Sequence, residues 1–136
     1  MDLMLEAIRL EPESANAHYN LGRLYAAAGQ IDEAMVQFAI AVRLEPQGAE
    51  NHYNLGTVLA AQGKMQEAVA EFTEAIRLKT DYGNAHNNLG SALARLGRID
   101  EAIAEFKKAL RLMPDSEEAR RNLEYALSLQ GKTTKR

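Results

Sequence analysis

Three histidines, His18, His52 and His86, stand at equal intervals (52−18 and 86−52, both 34), and a recurring imidazole is the first place to look for metal binding or proton transfer. The interval argues against both. Side chains repeated at a long fixed spacing are strung along an array of elements, whereas a metal ion needs its ligands to converge at about 2 Å. The histidine column therefore reads as half-buried aromatic packing. No cysteine is present, and no Ser-His-Asp set can be assembled from the spacing. Gly22, Gly56 and Gly90 fall inside helical patterns and form no phosphate-cradling loop. The paired acids Asp32-Glu33 and Asp100-Glu101 suit the first turn of a helix, where carboxylates complement its dipole. The expectation is a chain with no catalysis, no cofactor and no metal.

A second column is more informative. Asn20, Asn54, Asn88 and Asn122 share the same interval of 34 (54−20, 88−54, 122−88). Asparagine is a mediocre helix former, so propensity alone would not place it four times within helical patterns. Its primary amide offers an acceptor and two donors, which matches one peptide unit without reading a side chain. The same amides could instead hydrogen-bond neighbouring helices, and the two roles can coexist.

The elements that position these columns follow from the period. Leu-Gly recurs at Leu21-Gly22, Leu55-Gly56 and Leu89-Gly90, and the same register aligns Ala34, Ala68 and Ala102; Phe38, Phe72 and Phe106; and Ala41, Ala75 and Ala109. Apolar spacing such as Leu21, Leu24, Tyr25, and again Ala34, Phe38, Ala41, Val42, predicts two amphipathic helices per unit. Gly29, Gly63, Gly97 and Gly131 suit a position just past the first helix, where positive φ is needed. Pro12, Pro46 and Pro114 end the second helix, and Thr80 in the same column predicts a less sharply terminated junction. The small residues Gly22, Gly56 and Gly90 are expected to face Ala34, Ala68 and Ala102, letting the paired helices approach within about 8–10 Å.

This pattern resembles the tetratricopeptide repeat family over nearly the whole chain. The resemblance implies an all-α, right-handed solenoid with full repeats at 15–48, 49–82 and 83–116. A lone second helix precedes them (about 1–14). A capping first helix (about 117–130) and a basic frayed tail (131–136) follow. It also implies that first helices line a concave groove, into which Asn20, Asn54, Asn88 and Asn122 point, much like the asparagine ladder of O-GlcNAc transferase superhelices. By the same analogy the inward columns hold Asn16, Glu50, Asn84 and Glu118; Tyr19, Tyr53, Asn87 and Arg121; and Arg23, Thr57, Ser91 and Tyr125. Ala26, Ala60 and Ala94 form a small floor beside Arg95. None of these positions is lysine, which disfavours the carboxylate clamp known for chaperone C-termini.

The implied function is protein–protein interaction with an extended peptide or partner protein in the groove. Its alternatives are the non-catalytic arm of a larger enzyme, such as a glycosyltransferase, or a self-assembling structural segment. A net charge of −3 disfavours nucleic acid. No uncharged apolar run approaches the ~18 residues of a membrane span, and the acids beside Met1 do not suit a secretory leader, so a cytoplasmic setting is expected. Met1, Met4, Leu5 and Ile8 leave a partly uncovered apolar stripe, which predicts self-association through residues 1–11, dependent on Met4 and Ile8. Far-ultraviolet circular dichroism should give a helical spectrum, and substantial strand content would overturn the repeat reading.

Overall fold

The computed structural model describes residues 2–134. Its helices are α1 (Asp2–Leu10), α2 (Ala15–Ala27), α3 (Ile31–Leu44), α4 (Ala49–Ala61), α5 (Met65–Leu78), α6 (Gly83–Arg95), α7 (Ile99–Leu112) and α8 (Glu117–Thr134), and no strand occurs among the described residues. Each helix packs on the next in sequence, and α4 on α6 and α6 on α8 also touch directly. The array is a right-handed α-solenoid in which α2, α4, α6 and α8 are the first helices of successive hairpins.

The hairpins close through a ring laid on a glycine. A Cβ at Gly22 would stand 2.7 Å from Phe38 Cε1, one at Gly56 2.8 Å from Phe72 Cε1, and one at Gly90 2.5 Å from Phe106 Cε1. These glycines are thus needed for their missing side chain, and the surface they meet first is the phenylalanine ring, not the alanine column that the sequence pattern suggests. Ala34, Ala68 and Ala102 are nonetheless fully buried and leave room for the rings. The three phenylalanines join Leu55, Val58, Leu59, Leu89, Leu93 and Ile103 in one continuous core.

Gly29, Gly63 and Gly97 all take positive φ, at 78°, 82° and 79°, and turn the chain from first to second helix. A non-glycine residue would be strained there. Gly131 does not join them, because α8 runs through it to Thr134. The expected frayed tail is therefore helical over 131–134, while Lys135 and Arg136 lie outside the described residues, as does Met1.

The junction at Thr80 is no softer than the others. Helix α5 has 14 residues, as do α3 and α7, and Lys79 ends it in the same extended conformation (φ −140°) that Glu45 and Met113 adopt before a proline. The turn geometry is imposed by the packing of the next hairpin, so proline is dispensable. At the two outer junctions a serine caps the following helix: Ala17 N donates to Ser14 Oγ at 3.2 Å and Ala119 N to Ser116 Oγ at 3.1 Å. Exposed pairs such as Arg77 with Glu74 and Arg98 with Glu101 lie three residues apart on single helices and add little to stability.

Gly56→Ala should destabilise the array by about 1–3 kcal/mol, because Phe72 cannot retreat without opening the core. Chemical denaturation of the variant checks this, and unchanged stability would show that the ring does not depend on the glycine.

Candidate functional site

The histidine column is structural, but not in the way its spacing suggests. His18, His52 and His86 are 5–6% exposed, more deeply buried than expected, and each ring is hydrogen-bonded on both sides. Nε2 donates to the carbonyl of the preceding junction: Pro12 O at 2.9 Å, Pro46 O at 2.8 Å and Thr80 O at 3.2 Å. Nδ1 meets a side chain of the second helix in its own hairpin, Gln37 Oε1, Glu71 Oε2 or Glu105 Oε2, each at 2.7 Å. At His52 and His86 the ring thus lies between a junction carbonyl and a carboxylate of the second helix. One imidazole ties together the preceding junction, a first helix and a second helix. Among the described residues no group of three or more His, Cys, Asp or Glu could hold a metal ion.

The first helices present the inner surface. Between α4, α6 and α8 lies a recess of about 550 Å³. Asn88 and Asn122 stand in its wall with Thr57, Ser91 and Tyr125; Ala60 and Ala94 lie beneath them, and Arg95 sits at its margin. Met65, Phe72, Phe106 and Leu129 add apolar surface that the inward columns of the sequence do not include. All four column asparagines are half-buried. Asn88 Nδ2 donates to the Tyr53 hydroxyl at 3.2 Å, and Asn122 Nδ2 donates to Asn87 Oδ1 at 3.0 Å.

The other expected site residues divide between two further regions. Asn16 and Asn20 line a shallow recess of about 400 Å³ with Met4, Ala7 and Leu10 of α1. Asn16, Tyr19 and Glu50 line another, of about 390 Å³, with Glu45 and Lys79. There the Tyr19 hydroxyl donates to Glu50 Oε2 at 3.2 Å, and the Arg23 guanidinium lies 5.7 Å from the Tyr19 ring centre. Tyr53 stacks against Tyr82, ring centres 5.0 Å apart, with Lys79 on the outer face of Tyr82. Burial, opposed in part by the Asn88 amide, pushes the Tyr53 phenol above its ordinary pKa. Asn54 lies in none of the three recesses, and Asn84 is exposed beside them. Asn87 is a correction to the expected inner surface: it is 4% exposed, its oxygen already occupied by Asn122.

Sequence comparison bears on the same period. Profiles described as tetratricopeptide repeat match residues 53–117 and 3–36, and one described as TPR repeat matches 22–63, so together they span 3–117. The chain belongs to the tetratricopeptide repeat family. No curated protein sequence matches it. Among solved structures, that of the MamA protein superposes with a TM-score of 0.89 at 25% identity, over 94% of this chain and 70% of that one. The Arabidopsis OM64 TPR domain gives 0.81 at 22% identity, over 82% of this chain and 93% of that one. The first TPR of Spaghetti (RPAP3), solved with the HSP90 peptide SRMEEVD, gives 0.84 at 22% identity, over 86% and 93%.

The histidine clamp has a direct test. His52→Phe keeps the ring volume but leaves the Pro46 carbonyl and the Glu71 side chain without their ring partner, which should cost about 1–3 kcal/mol in urea unfolding. A variant as stable as the parent would return the column to simple packing.

Proposed function

We propose that this tetratricopeptide array is a protein-interaction module that holds an extended peptide or a segment of a partner protein in its inner groove. The observation that carries the reading is the state of the amides in the recess. Asn88 and Asn122 each spend one amide hydrogen on a neighbouring helix, which leaves the carbonyl oxygen and the second N–H of each free for a ligand. Cross-helix bonding fixes the amides in place, so little side-chain entropy is lost when a peptide backbone joins them. Exposed Tyr125 and Arg95 beside them are residue types that dominate binding energies elsewhere. The first TPR of Spaghetti, solved with an HSP90 peptide, is an instance of peptide binding by the same fold.

A peptide selected from a random display library on the full chain serves as the probe. Replacing Asn88 and Asn122 together by alanine should weaken its binding about tenfold, since each net hydrogen bond contributes about 0.5–1.5 kcal/mol. Helicity should be retained. Equal affinity in parent and variant would make the ladder purely structural.

A second reading, self-association through residues 1–11, draws on α1, in which no residue is fully buried. Here the exposed apolar surface differs from that expected: Leu3, Leu10 and Leu5 are 84%, 67% and 47% exposed, whereas Met4 and Ile8 are half-covered by packing against the array. On this reading the chain sediments as more than a monomer near millimolar concentration, and Leu3→Glu with Leu10→Glu restores the monomer. Monomeric sedimentation of the parent would dismiss it.

A further inference from the structure

Building on the groove reading above, we infer that the recess between α4, α6 and α8 selects an extended segment in which an acidic side chain precedes a large apolar one by two residues. The acid pairs with Arg95, and the apolar side chain enters the recess beside Met65 and Leu129, which share its lining. Among the described residues that line the recess, Arg95 alone carries a formal charge; the rest are apolar, hydroxyl or amide side chains. Its guanidinium is exposed and has no carboxylate partner among the described residues, unlike Arg9, Arg77, Arg98 and Arg120, each of which is held by a glutamate three residues away.

A cation in the last turn of α6 also suits the helix dipole. The fold does not require one there, because the same position in the other first helices is Ala27, Ala61 and Leu129. Arg95 is thus a charge without a carboxylate partner among the described residues, placed at an inner recess of about 550 Å³. The apolar part of the wall is built from small alanines with Met65 and Leu129 at the margin, and the flexible methionine adapts to an incoming side chain. Side chains two apart on an extended strand share a face, so an acid and an apolar residue at that spacing both turn toward the protein while the asparagines hold the backbone between them. Glu50, which accepts a hydrogen bond from Tyr19, places a negative charge in the neighbouring recess, so an acidic side chain is favoured beside Arg95 instead.

The probes are three heptapeptides, acetylated and amidated so that no terminal charge contributes. Each has a Gly/Ser frame, a central leucine, and Glu, Gln or Lys two residues before it. Titrated into the full chain and followed by amide chemical shifts, the Glu peptide should bind about fivefold more tightly than the Gln peptide, with the Lys peptide weakest. Arg95→Glu, an exposed change that should leave helicity intact, should reverse the order. Three equal affinities, or an order that Arg95→Glu leaves unchanged, overturn the selectivity while groove binding stands. If none of the three shifts residues of the recess at millimolar concentration, the groove reading fails and this inference with it.

Discussion

Everything in this molecule depends on a phenylalanine ring lying against a glycine. Within each hairpin the ring of Phe38, Phe72 or Phe106 occupies the volume that a side chain on Gly22, Gly56 or Gly90 would claim. The two helices can then pack closely with a large apolar group between them, and burying such a ring stabilises the hairpin by about 1.5–3 kcal/mol. The same ring also borders the inner recess, where Phe72 and Phe106 appear in the lining. Core and groove therefore share a wall, and the groove cannot be remodelled at that level without disturbing the hairpin.

Hairpins are joined by polar contacts as well as by the continuous core. The buried histidines bind the carbonyls of the junctions before α2, α4 and α6, and two glutamines bridge adjacent units: Gln62 Nε2 donates to Asp32 Oδ1 at 2.8 Å and Gln130 Nε2 to Asp100 Oδ1 at 2.9 Å. The central joint lacks this bridge, since Leu96 and Gln66 occupy the corresponding places, and it relies on the Tyr53–Tyr82 stack and the Asn88–Tyr53 bond. Buried polar atoms are satisfied almost throughout, Gln62 Oε1 being the exception among the described residues. A solenoid has no contacts between distant repeats, so the stability of the whole is set by these neighbour-to-neighbour joints.

The groove is a by-product of that stacking. First helices that touch one another, α4 with α6 and α6 with α8, bring one column from each repeat into register. Chemically different residues in that register give the inner surface its local character: amides along the wall, a small alanine floor, the Glu50 carboxylate beside half-buried Tyr19 and the exposed guanidinium of Arg95. No helix among the described residues is long and apolar enough to cross a membrane.

How much was legible in advance depended on whether a property is carried by a column or by a contact. The period of 34, the helix type, the positive φ of Gly29, Gly63 and Gly97 and the burial of the alanine columns are all fixed by residue type and spacing, because helical periodicity and the steric freedom of glycine are local. What a column touches is not local. The glycines meet phenylalanine and not alanine; the histidines, read as aromatic packing, reach a carbonyl six residues back and a side chain 19 residues ahead. Asn87, one position from the ladder, is buried by a bond to Asn122, 35 residues away. Gly131 shares the column of Gly29, Gly63 and Gly97 but lies within α8 instead of making their turn. In each case the sequence by itself determined the element and its apolar face, while the pairing across helices, which depends on how neighbouring hairpins dock, was decided only by the tertiary structure.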